Sequence, residues 1–165
     1  MTLLEAAARA DELAVAGDER ELSKLRAAWG EEIESAARSQ DYRQRAVAYR
    51  AVGQFRFRQK LELLRRGLED DSPACRGSAI ISLELLSRDA PAAVNGVRPL
   101  LHRIANADDN QAVRRLAVVA LKNGSPVRDT ITLLQGLAED DRQERELQAA
   151  AKRVAAALKK RADTR

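Results

Sequence analysis

The sequence predicts an all-α chain: an α-solenoid of about four stacked antiparallel helix pairs behind an N-terminal capping helix. Three observations predict it. An arginine opens a helix, with small residues three and six positions on, in three places: Arg45 with Ala48 and Ala51, Arg76 with Ala79 and Ser82, and Arg114 with Ala117 and Ala120. Each such helix follows an acidic turn (Asp41, Asp70–Asp71 or Asp108–Asp109), and the last two turns follow a Leu-Leu helix at Leu63–Leu64 or Leu100–Leu101. A weaker fourth copy runs from Leu133–Leu134 through Asp140–Asp141 to Gln148 and Ala151, giving spacings of 31, 38 and 34 residues between Arg45, Arg76, Arg114 and Gln148. The third observation is composition: Ala, Leu, Glu, Arg and Gln dominate, as helices prefer, while Gly and Pro number 8 and 4. One helix pair cannot bury its own apolar stripes, so neighbouring pairs must stack and share a core.

The elements follow in order. Thr2-Leu3-Leu4-Glu5 fits a capping box, and Gly17 suits the left-handed residue just past a helix end, so a leading helix covers about residues 3–16. Its outer positions are acidic, as a cap over an exposed solenoid end requires. Asp18 and Glu21 open a second helix, which Gly30 interrupts or weakens near Trp29. Asp41, Ser72-Pro73 and Ser125-Pro126 are further starts. Asp89 before Pro91 opens the third pair, and Pro99 kinks that helix or moves its start to about Arg98. The pairs then span about 19–54, 57–87, 91–122 and 126–161. The whole chain, 1–165, reads as one repeat domain: a cap over 1–17, repeats over 18–158, and a charged tail over 159–165 that frays.

The run of Leu-Leu, acidic turn, Val-Arg, Ala and Ala-Leu, over roughly 41–158, resembles the HEAT-repeat family, in particular the short HEAT-like repeats of the phycobilin-lyase type. The resemblance implies architecture and leaves activity open, because the family includes scaffolds, adaptors, lyase subunits and a DNA glycosylase branch. The glycosylase branch implies tryptophans and an aspartate around a groove. Here the single tryptophan, Trp29, lies outside the well-matched repeats, and Glu31 and Glu32 do not reproduce that pattern. In HEAT-like folds the residues equivalent to Arg45, Arg76 and Arg114 tie neighbouring turns together by charge-assisted hydrogen bonds, and the same role is expected here. Gln148 in the fourth copy fits a terminal repeat with no further turn to tie.

No stretch reaches the length of apolar residues that a membrane span needs, and the N-terminus lacks a secretory pattern, so a cytoplasmic protein is expected. The single cysteine, Cys75, excludes an internal disulfide and a multi-cysteine metal site; it occupies the repeat position of Val113 and Leu147 and reads as core. His102, the only histidine, has no companion ligand and no nucleophile in pattern, and reads as a surface or groove residue. No catalytic residues, metal ligands or cofactor are therefore expected. Ala79 and Ala117 should lie at helix crossings that reject a carboxylate, and Ala10, near the edge of the cap, should tolerate one better.

The net charge of +4 is unevenly spread: residues 1–40 sum to −4 and residues 41–66 to +6. The basic segment also holds Tyr42, Tyr49, Phe55 and Phe57, and cations interleaved with aromatic faces are the combination that grips phosphates and stacks bases. Against this, a basic stripe is often solvated surface and an aromatic cluster often one packed joint. The expected function is a non-enzymatic protein-interaction scaffold or adaptor, a monomer or weak oligomer, presenting the row of second helices that start near Tyr42, Pro73, Gln111 and Glu144. The alternative is sequence-independent nucleic-acid binding through 43–66. Candidate partner-binding residues are Tyr49, Arg50, Arg56, Arg58 and Lys60, with Arg115 on the corresponding helix of the third pair.

Overall fold

The computed structural model of the chain describes residues 1–164 and divides it into two compact units, Met1–Leu86 and Ser87–Arg165. The described residues form helices joined by short turns, with no strand, and successive helices pack on one another within each unit. This is the all-α, α-solenoid class that the repeat pattern predicts.

The first unit contains α1 (Leu3–Ala16), α2 (Glu19–Ala37), α3 (Tyr42–Gln54), α4 (Leu61–Leu68) and all but the end of α5 (Pro73–Ser87), with a 3₁₀ turn at Arg58–Lys60 before α4. The capping box at Thr2 and Glu5 closes as predicted. Gly17, at φ 74°, ends α1, with the Gly17 and Asp18 amides returning to the carbonyls of Ala14 and Leu13. Helix α3 closes in the same way on a residue that is not glycine. Arg56 has φ 52°, and the Arg56 and Phe57 amides bond to the carbonyls of Gly53 and Val52. Its side chain offsets the strain, because Nη1 donates to the carbonyls of Gly53 and Gln54 and meets Asp11 Oδ1 at 2.8 Å.

Gly30 does not interrupt α2, which runs unbroken through it, with the Phe57 ring in ordinary van der Waals range of where a Cβ would stand. Ala10 also departs from expectation. It is as fully buried as Ala79, because α1 packs on both α2 and α3. Leu4 and Val15 on α1 are exposed instead. The core of the unit is built from Leu22, Ile33, Phe55, Leu64, Ile80 and Leu83, and two glycines let backbones approach. A Cβ on Gly53 would sit 2.8 Å from Ser82 Cα, and one on Gly67 2.8 Å from Ala79 Cβ.

The second unit contains α6 (Ala92–Asn95), α7 (Arg98–Ala107), α8 (Gln111–Leu121), α9 (Arg128–Glu139) and α10 (Arg145–Asp163). Of its three prolines, Pro91 stands at the head of the single turn α6 and Pro99 lies in the first turn of α7, while Pro126 precedes α9, which starts at Arg128 rather than at the expected Ser125-Pro126. Leu101, Leu121, Leu134, Leu147 and Leu158 form the core. The expected frayed tail from 159 is corrected up to Asp163: α10 continues that far, and Arg161 donates to the carbonyls of Lys122 and Gly124. Residue 165 lies outside the described residues.

Candidate functional site

The recurring arginine serves the fold in both units, and its geometry fixes which face of each second helix remains open. Arg45 lays its guanidinium on Asp70 with two bonds of 2.9 and 3.1 Å, reaches Asp71 at 3.3 Å, and donates back to the carbonyls of Ser39 and Gln40. Asp70 shows the consequence. Burial alone would raise its carboxyl, but the Arg45 fork, the Ser72 amide and the Arg45 charge hold it below the usual range. Arg76 donates to the Asp70 carbonyl, Arg114 to those of Ala105 and Asn106, and Gln148 to that of Asp140. The shared role is to satisfy carbonyls left over where the preceding helix ends. Gln148 retains it without a charge.

With those positions turned inward, the residues one, two and five places further along α8 and α10, together with the residue two places before, form one stripe that is exposed or half-buried except at Ala150. In the second unit they line a groove of about 500 Å³ between α8 and α10. From α8 come Ala112, Arg115, Leu116 and Val119; from α10 come Glu146, Ala149, Ala150 and Arg153. The two sets match position for position, at spacing i, i+3, i+4, i+7, which is one helix face. Arg115 meets Glu144 at 2.7 Å and Glu146 at 3.3 Å at one end of the groove. In the first unit the same positions of α3 are Arg43, Ala46, Val47 and Arg50. Arg43 and Val47 line a second groove of about 500 Å³, together with Leu3 and Leu4 of α1 and Glu32 and Ala36 of α2.

A family model for HEAT repeats matches residues 30–122, more than half of the chain. The chain belongs to the HEAT-repeat family. No curated protein matches it. No helix among the described residues is long and apolar enough to cross a membrane.

Against this HEAT framework the six candidate partner-binding residues separate. Tyr49 is buried, beside Gly67, and burial pushes its phenol up from the ordinary value. Arg56 pairs with Asp11, and Lys60 pairs with Glu34 at 2.8 Å while lying over the Phe57 ring, 4.8 Å from its centre. Arg58 is exposed; it adds to the lowering of the Glu19 carboxyl, which comes first from the Arg26 hydrogen bond. Arg50 is half-buried, with Nη1 enclosed and unpartnered. Arg115 lines the α8–α10 groove, and Lys60 lines a separate, acidic hollow with Glu31, Glu32 and Glu34 of α2. Of the eight cations in 41–66, Arg43, Arg45, Arg56, Lys60 and Arg65 are joined to carboxylates, Arg45 and Arg65 to two each. Sequence reasoning missed Arg153, which occupies the Arg50 position of the fourth repeat. Aligning the stripe through Gln148 would have found it.

Cys75 is core, as its repeat position predicts: its Sγ lies 3.2 Å from the Tyr42 carbonyl, and burial pushes the thiol up, away from nucleophilic use. His102 is half-buried, with Nε2 2.8 Å from the hydroxyl of buried Thr130. Burial, and then the Arg98 charge, lower its imidazole below the ordinary value, with Asp129 opposing. The neutral ring fits this setting.

Proposed function

We propose that the protein is a protein-interaction scaffold that engages partners through the outward face of its second helices. The observation that carries this reading is the α8–α10 groove, whose lining repeats the same four positions on two adjacent helices and is small or apolar at five of its eight residues. Folding alone does not demand an open row of Ala112, Ala149 and Val119 side chains; a partner's side chains would remove that surface from water. HEAT repeats commonly serve as such scaffolds, which agrees with this reading. Rigid helices fix the spacing of the contacts, and a few central anchors supply most of the affinity. The pairing of Arg45, Arg56, Lys60 and Arg65 with carboxylates weighs against phosphate binding through 43–66.

The test is affinity purification from the source cell with nuclease added, comparing the wild type with Ala112→Arg/Ala149→Arg and with Thr132→Arg on the exposed side of α9. Ala112, Ala149 and Thr132 are all exposed, so each variant should fold. Partners that survive nuclease, disappear with the double variant and persist with Thr132→Arg are expected. Capture that nuclease abolishes, or that the blocked groove leaves intact, would overturn the proposal.

A further inference from the structure

The α8–α10 groove is unevenly charged, and the imbalance identifies a class of occupant. At the end near the starts of both helices, Glu144 and Glu146 converge on Arg115. Toward the other end the groove meets Arg153, and the same helix face continues one and two turns on through Ala157 to Lys160. Lys122 follows Val119 on the α8 side, and Lys152 and Lys159 are exposed elsewhere around α10. Among the described residues, Arg153, Lys160, Lys122, Lys152 and Lys159 have no ion-pair partner. The helix dipole accounts for cations in the last turn of α10, Lys160 and Arg161. It does not account for Lys152 and Arg153 at mid-helix, where the dipole has little effect.

We infer that this groove seats an acidic amphipathic helix of a partner protein, an inference that rests on the scaffold reading above. Its floor of Leu116, Val119, Ala149 and Ala150 takes the apolar face of such a helix, since anchors spaced i, i+3/i+4, i+7 match the spacing of the lining. The lining from Ala112 to Val119 spans about 10 Å, or two helical turns. The carboxylates of the partner fall on Arg153 and Lys160, with Lys122, Lys152 and Lys159 steering approach. A nucleic-acid backbone would use the cations and leave the apolar floor unmatched, so an acidic helix satisfies more of the surface.

The experiment uses the full chain and fluorescein-labelled helical peptides at physiological ionic strength, read by anisotropy. One peptide carries leucines on one face and glutamates on the other. The comparison probes replace the glutamates with lysine, replace the leucines with serine, or substitute a short DNA duplex. The Leu/Glu peptide is expected to bind about tenfold or more tightly than every other probe, with Arg153→Glu/Lys160→Glu costing about tenfold. Arg9→Glu, an exposed change on α1, should cost nothing. Equal binding of the Ser/Glu peptide, tighter binding of the duplex, or an unaffected double variant overturns the inference. If that happens while Ala112→Arg/Ala149→Arg still abolishes partner capture, the scaffold reading stands and only the assignment of an acidic helix falls.

Discussion

The two units build the same repeat and dispose of their charges in opposite ways. In the first, Arg45 crosses from its own helix to the next acidic turn, and Asp70 is held by that neighbour. In the second, Asp140 is held within its own turn: the Arg142 side chain, the Arg142 amide and Gln143 bring its carboxyl down to about 2. Arg114 meanwhile satisfies carbonyls. The first unit spends its cations on cohesion, and the second leaves a row of them along α10. The lesson is that net charge along a sequence does not locate a binding face. Residues 41–66 sum to +6, yet five of their eight cations are paired with carboxylates, while a row of cations without an ion pair among the described residues lies a hundred residues further on.

The largest expected effect should be the same in both units. Ala79→Asp and Ala117→Asp place a carboxylate at positions that are 0% exposed, and each should cost about 3 kcal/mol or more, or prevent folding. Ala10→Asp belongs with them, since Ala10 is also 0% exposed. Urea titration of the three variants checks this. A mild Ala10→Asp would mean that α1 detaches without loss to the rest, and the first unit would be looser than its packing implies.

Next in size is the arginine itself. Arg45→Ala leaves Asp70, whose side chain is 8% exposed, without its partner, at a cost of about 2–3 kcal/mol. Restoring neutrality with Asp70→Asn should recover part of that loss. Arg114→Ala strands only carbonyls and should cost about 1–2 kcal/mol, with no rescue from changes in the acidic turns. Double-mutant cycles by denaturant titration separate the two cases. Equal coupling in both units would erase the contrast.

Much of this architecture was legible in the sequence. The caps at Thr2, Asp18 and Asp41, the prolines at Pro73 and Pro99, and the Arg–Ala register all fall where local chemistry places them. Three features were not legible because they depend on long-range packing. Gly30 reads as a break, yet α2 runs through it under the Phe57 ring; Arg56 adopts a glycine-like conformation that no local pattern announces; and the pairing of Lys60 with Glu34 joins residues 26 apart. The candidate surface was half legible. Its row of helices could be read from the repeat, but Tyr49, expected to meet a partner, is buried, and Arg153, not singled out, lines the groove, since burial is decided by neighbours in space.

Glycine gives a smaller effect with opposite signs. Gly53→Ala drives a methyl into Ser82 and should destabilise by about 1–3 kcal/mol. Gly136→Ala, in α9 with nothing within 4 Å of the added carbon, should stabilise by about 0.5–1 kcal/mol. Thermal melts of the two variants moving in the same direction would contradict the packing described for one of the units.

The smallest effect distinguishes the units by acid. The Asp70 carboxyl lies below its ordinary value in the folded chain, so the unfolded chain binds the proton more readily and stability rises with pH. That contribution is complete above about pH 4 and fades as pH falls below it. His102 is also lowered on folding, because burial and Arg98 disfavour the imidazolium. The sign is the same, but the window is higher: its contribution is complete above about pH 6.5 and fades as pH falls through that value. Hydrogen exchange should therefore show α7 and α9 losing protection on mild acidification, while the amides around Arg45 and Asp70 hold until stronger acid. His102→Gln, which keeps a polar partner for Thr130, should remove the upper step alone. Simultaneous loosening of both units near pH 4 would mean that the imidazole is solvated well enough to charge without disturbing the packing of α7 on α9.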